Sequence, residues 1–241
     1  MAHGAPDDSN VVKHGLVQRL DDLGELAARL GSPVKYHRRG DVLYIDDFEW
    51  GLNGWHTTGT NADRFCQVSN VASLSKGSCC LLNSGTGGGL PIYLRTYHPA
   101  VSGDKIGFHV AISLRSNILA FGMSIAVRSP SQEYSYTWLW QKALSLLSCG
   151  DSEGGMYSID DDLQLVEENT LFHHFKMVVD QTTGYYVGLY VDDFYYDLSE
   201  VETEVARPGD TKRVATVITN YGDGLLAAEI ALDDFVITVN E

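Results

Sequence analysis

Phe172 to Tyr195 reads FHHFKMVVDQTTGYYVGLYVDDFY, two runs rich in β-branched and aromatic residues joined by Asp180-Gln181-Thr182-Thr183-Gly184. Gly184 can take the positive φ of a tight reversal, and Asp180 with the two threonines can bond back to the turn backbone, so the segment predicts a β-hairpin. In its second run Tyr186, Gly188 and Tyr190 are expected on one side, with Tyr185, Val187, Leu189 and Val191 on the other.

The period-2 pattern extends in both directions. Ile106, Phe108, Val110, Ile112 and Leu114 alternate with Gly107, His109, Ala111 and Ser113; Phe121, Met123, Ile125 and Val127 follow, then Tyr134, Tyr136, Trp138 and Trp140. Three successive alternating strands predict an antiparallel meander. Further strands are expected near 64 to 71, 78 to 83, 91 to 97, 213 to 220 and 226 to 239, with glycine-rich loops at 85 to 89, 150 to 155 and 222 to 224. Before Gly40 the period is different. Residues 1 to 19 show no pattern, and Leu23, Leu26, Ala27 and Leu30 form one stripe behind Asp21 and Asp22, closed by Gly31 and Pro33. The domain reading is therefore an N-terminal arm with one short helix over 1–40 and an all-β domain over 41–241. Two helical turns do not persist alone in water, so the stripe of Leu23, Leu26 and Leu30 must dock, on its own domain or in a neighbouring subunit.

The hairpin, with Val-Val-Asp before its Thr-Gly turn and Tyr-Val-Asp closing its second run, resembles the late strands of concanavalin A-like and laminin G-like jelly-roll sandwiches. Tyr44-Ile45-Asp46-Asp47-Phe48-Glu49 near the start and Ala231-Leu232-Asp233-Asp234-Phe235-Val236-Ile237-Thr238 at the close are a second likeness, because the first and last strands of that superfamily lie side by side. The segment from Asp47 to Trp55 also looks like the opening of many carbohydrate-binding sandwich modules. The resemblance implies an antiparallel jelly-roll β-sandwich and leaves lectins, glycan-binding modules, glycosidases and structural proteins open.

Charge narrows the partners. The chain of 241 residues carries 17 Lys plus Arg against 32 Asp plus Glu, a net charge of −15, which repels a phosphate backbone and argues against nucleic acid. Between 150 and 204 Lys176 is the only basic residue among fourteen acids, which suits a solvated face, a cation site or a basic partner. No stretch reaches the ~18 apolar residues of a membrane span, and the sequence from Met1 lacks the basic and apolar regions of a signal peptide, so a protein made in the cytoplasm is expected. Cys66, Cys79, Cys80 and Cys149 form no CxxC, and free thiols are expected in preference to a Cys66 to Cys79 bridge.

Four sets of residues are candidates for chemistry. Tyr134, Tyr136, Trp138 and Trp140 share one strand face, with rings ~7 Å apart, a spacing that suits successive sugar rings, a core or a subunit interface. Glu200, Glu202 and Glu204 alternate in SEVETEV, and this resembles the Glu-x-Asp-x-Glu catalytic strand of laminarinase-type glycosidases, whose outer pair acts as nucleophile and acid/base. Here Glu202 replaces the middle Asp and no tryptophan is near in sequence, so a solvated acidic edge is the plainer reading. Asp46 and Asp233 would approach if the terminal strands pair, and could then share a structural calcium; no other cofactor is implied. His173 and His174 are adjacent in a strand and cannot share a metal. A free-standing sandwich with a docking arm also resembles, in architecture, the decoration, cement and tail proteins of tailed-phage virions. The sequence thus points first to a non-catalytic, self-associating virion-type assembly protein, next to a lectin-like carbohydrate binder, and last to a glycosidase.

Overall fold

The computed structural model describes residues 40–241 apart from 60, 62, 75–76, 87–89, 101–102, 129–131 and 207–211. The arm and the stripe of Leu23, Leu26 and Leu30 lie outside the described residues. Sixteen strands are described: β1 (Asp41–Asp46), β2 (Trp55–Thr58), β3 (Phe65–Ser69), β4 (Cys79–Asn83), β5 (Ile92–Pro99), β6 (Lys105–Ser116), β7 (Ala120–Arg128), β8 (Glu133–Gln141), β9 (Leu146–Gly150), β10 (Met156–Asp160), β11 (Phe172–Asp180), β12 (Tyr186–Val191), β13 (Phe194–Asp197), β14 (Glu204–Ala206), β15 (Arg213–Tyr221) and β16 (Glu229–Val239). They build two antiparallel sheets packed as a jelly-roll sandwich. The first runs β13-β12-β11-β6-β16-β4-β3, with β1 also on β16; the second runs β10-β9-β8-β7-β15-β5-β2, with β14 also on β8.

The hairpin forms as its residues require. Asp180 Oδ1 accepts from the backbone N–H groups of Thr182 and Thr183, and Gly184 sits at φ 82°. Its second strand departs from strict alternation: a bulge sets Val178 opposite Gly188 but Val179 opposite Tyr186. The extra residue, Val187, flips the phase, so Tyr186 joins Leu189 and Val191 in the core while Gly188 and Tyr190 face out. The terminal strands pair as expected, with Asp46 opposite Phe235.

The expected three-strand meander is only two-thirds present. β7 and β8 pair, but β6 lies in the other sheet between β11 and β16. The turn at Asn117, with φ 49°, carries the chain from one layer to the other, so the apolar faces of β6 and β7 meet across the core instead of lying side by side. That core is sealed by rings from both sheets: Trp138 of β8 stacks on Phe175 of β11 at 4.5 Å, and Phe121 of β7 meets both edge-on.

The four thiols are free, as expected. Cys79 and Cys80 point to opposite sides of β4, and it is Cys80, not Cys79, whose sulfur lies 3.1 Å from that of Cys66.

Candidate functional site

The outward side of the second sheet is uneven because long and short side chains are segregated on it. Across the strands in register, Arg213 of β15 lies between Pro99 of β5 and Arg128 of β7, and Arg128 opposes Glu133 of β8. The next row runs Tyr97, Ala215, Ala126, Ser135 and, on the edge strand β14, Glu204. The row after that runs His56, Arg95, Val217, Ser124 and Thr137. Alternation sends these residues outward while Leu94, Ile125, Tyr136, Trp138 and Ile218 fill the core. In the second and third of these rows the middle strands carry only the small Ala215, Ala126, Val217 and Ser124, with Tyr97 and Arg95 standing on one side and the row of Arg213 and Arg128 at the end. A hollow of about 260 Å³ results, lined by Arg95, Tyr97, Ser124, Ala126, Arg128 and Arg213 with Ser135, Ala215 and Val217.

Tyr97 is the centre of a contact cluster on one wall. Arg95 Nη1 donates to its hydroxyl at 3.3 Å, the Arg213 guanidinium lies 4.8 Å from its ring centre, and the His56 ring is 5.9 Å away. The ring is still exposed to solvent. Arg128, on the far wall, is ion-paired across the strands with Glu133, which does not itself line the hollow, Nη2 to Oε1 at 2.9 Å. Thr137 and Ser124 bond through their hydroxyls at 3.0 Å along the floor. The hollow therefore presents guanidinium donors, hydroxyls that donate and accept, and an aromatic edge, which are the groups that recognise a polyhydroxylated ring.

The hollow lies on the opposite side of the sheet from the aromatic set that the sequence offers for sugar stacking. Tyr134, Tyr136, Trp138 and Trp140 are all buried between the sheets, so they cannot stack on a sugar. Tyr136 donates to the carbonyl of Asp180 at 2.6 Å and Trp140 Nε1 to that of Leu163 at 3.1 Å, which satisfies their polar atoms inside the core. Burial pushes the Tyr136 hydroxyl well above the usual phenol range.

Asp46 and Asp233 each accept hydrogen bonds from the protein itself. Asp46 accepts from Tyr44 Oη at 2.9 Å, Trp55 Nε1 at 2.8 Å and the Phe48 N–H at 2.9 Å, and so ties the first loop to the core. Asp233 lies at a bulge of β16, fully buried, and accepts from the N–H groups of Leu74 and Asp234, each at 2.8 Å. Burial pushes its carboxyl up to about 6, and the charge of Asp47 acts in the same direction. Among the described residues no group of three or more His, Cys, Asp and Glu is placed to hold a metal.

Glu200, Glu202 and Glu204 are all exposed and do not share one strand. β14 begins at Glu204, while Glu202 makes an isolated bridge with Tyr185. Only Glu204 reaches the rim of the hollow, opposite Ser135. His173 and His174 fall on opposite sides of β11 as expected: His173 pairs with Asp192 at 2.7 Å, which holds its imidazole pKa up against the opposing effect of burial, and His174 lies 3.3 Å from His109 on the outer side.

No protein-family model and no curated protein sequence matches the chain. Solved structures do share its fold. "Cellulose induced protein, Cip1" is 16% identical, with a TM-score of 0.53 over 81% of this chain and 97% of its own. Alginate lyase vAL-1 from Chlorella virus is 11% identical, with a TM-score of 0.57 over 83% of this chain and 100% of its own. The carbohydrate esterase vb_24B_21 from Shiga toxin-encoding bacteriophage phi24B is 12% identical, with a TM-score of 0.56 over 84% and 100%. At these identities the likeness establishes the sandwich fold. Among the described residues no helix is long and apolar enough to cross a membrane.

Proposed function

We propose that this chain is a lectin-like carbohydrate-binding protein that acts by binding rather than by catalysis, with the hollow on the outward side of β5, β15, β7 and β8 as its saccharide site. One observation carries the reading: small residues on the inner columns open a depression beside the exposed ring of Tyr97, with arginine and hydroxyl donors on its walls. The names of the three fold relatives, a cellulose-induced protein, an alginate lyase and a carbohydrate esterase, support a glycan as the ligand class. The virion-type assembly role expected from the sequence rests on Leu23, Leu26 and Leu30 and gains no support from the described residues.

Ala126→Trp tests the proposal. Ala126 lies on the floor and faces outward, a strand position where an aromatic is tolerated, so the variant fills the hollow and leaves the fold intact. A glycan array followed by calorimetry on the best ligand should show binding by the wild type, none by Ala126→Trp, and a loss of about tenfold or more for Tyr97→Ala. Glu200→Gln, away from the hollow, should bind as the wild type does. Absence of any glycan binding, or equal binding by the filled variant with an unchanged melting temperature, defeats the proposal.

A further inference from the structure

The charge of the hollow runs against that of the whole chain. On a protein of net charge −15, with only 17 basic residues, three guanidinium groups from three separate strands meet at one depression, and no acidic residue lines it. Arg128 is matched by Glu133. Among the described residues Arg95 and Arg213 have no carboxylate partner, and the Nε atom of each is buried without a hydrogen bond. A guanidinium that lines the hollow with no carboxylate beside it is a donor that a matched anion would satisfy. Arg95 and Arg213 flank Tyr97, so an anion between them would sit against the ring on which a pyranose would rest.

Resting on the reading of the hollow as a saccharide site, we infer that its ligand is an acidic saccharide, one whose ring carries a carboxylate or a sulfate, and that Arg95 and Arg213 receive that anion. The planar guanidinium suits either group by paired N–H donation, while Ser124, Ser135 and the Tyr97 hydroxyl are placed for ring hydroxyls. The volume, near the lower bound of ~300 Å³ for small-ligand sites, limits the contact to one or two sugar units. The surrounding negative field makes the attraction short-ranged, so a long polyanion is held at this patch and repelled elsewhere.

The test is calorimetry on the full chain with four probes at equal ionic strength: tetragalacturonate, a chondroitin sulfate tetrasaccharide, cellotetraose and a single-stranded DNA tetramer. The expected result is that one or both acidic sugars bind about tenfold or more tighter than cellotetraose, and that added salt weakens them but leaves the neutral sugar unchanged. Arg95→Gln and Arg213→Gln should each cost the acidic ligand about tenfold or more and a neutral sugar markedly less, and Arg213→Lys should recover part of the loss. The two acidic probes separate carboxylate from sulfate recognition. Melting curves of each variant confirm that the sheet is intact. Equal affinity for neutral and acidic sugars, or unchanged binding by both glutamine variants, overturns the inference and leaves the saccharide site standing. DNA bound as tightly as the sugars also overturns it. Failure of all four probes, together with an empty glycan array, removes the underlying reading as well.

Discussion

Val110→Asp is expected to yield no folded protein. Val110 is fully buried on β6, in the middle of the first sheet and opposite Phe175 of β11, and its side chain faces the stacked rings that join the two layers. A carboxylate there has no donor within the core and would have to be protonated or drag water inward. Either route costs several kcal/mol, a large share of the ~5 to 15 kcal/mol by which a domain is stable. The size-only control, Val110→Ala, should cost about 2 kcal/mol and still melt cooperatively, because it removes contacts without introducing charge. Soluble yield, near-ultraviolet circular dichroism and urea melts on the pair separate the two effects. A Val110→Asp protein that is soluble and melts cooperatively near the wild-type midpoint would contradict the placement of β6 in the core.

That placement is legible in the sequence as far as period goes, and illegible as far as layer goes. Alternation at Ile106 to Leu114 and at Phe121 to Val127 defines two strands, each with one apolar side, but an apolar side is served equally well by a neighbour in the same sheet or by a partner across the sandwich. Only the pairing of β6 with β11 and β16 decides it. The same ambiguity hides the hollow. Tyr134 to Trp140 alternates with Ser135 and Thr137, a pattern open to a core, a sugar platform or an interface and read most plainly as a core with Ser135 and Thr137 on the wet side; the structure turns the rings inward and the small residues outward, which is the core reading. A local signal for the hollow is present in Tyr93-Leu94-Arg95-Thr96-Tyr97, where polar and aromatic residues alternate with a core set, and in Gly122, Ser124 and Ala126 opposite the bulky Phe121, Met123 and Ile125. What no local reading gives is the meeting of Arg95, Arg128 and Arg213, which are brought together by register between strands far apart in the chain. The hairpin and the paired terminal strands are readable because turn chemistry and end-to-end echoes are local marks. The bulge at Val187 is not, since one extra residue changes no composition.

The stability of the protein is expected to fall as pH rises through the range of Asp233, by about 2 to 3 kcal/mol relative to an Asp233→Asn variant. Asp233 is enclosed at the bulge of β16, where burial and the nearby charge of Asp47 raise its carboxyl from the ordinary 3.8 to about 6 in the folded chain. The two backbone N–H groups of Leu74 and Asp234 oppose that rise and do not cancel it. The sign follows from proton counting. Between about pH 4 and 6 the folded chain holds a proton here that the unfolded chain has released, so the folded state binds more protons and loses stability with each rise in pH. The favourable contribution is complete below about pH 4 and gone above about pH 6 to 7, and a tenfold difference in acidity between the two states corresponds to about 1.4 kcal/mol. Asp233→Asn has no proton to lose at this site. It exchanges one acceptor oxygen for an amide and carries a fixed offset at every pH, whereas other titrating groups, His173 among them, are common to both proteins and cancel in the difference. Urea melts of the two proteins at half-unit steps from pH 3.5 to 8 measure that difference directly. Curves that run parallel across the whole range would show that Asp233 titrates in the folded protein as it does in the unfolded one, and that the bulge does not hold its proton.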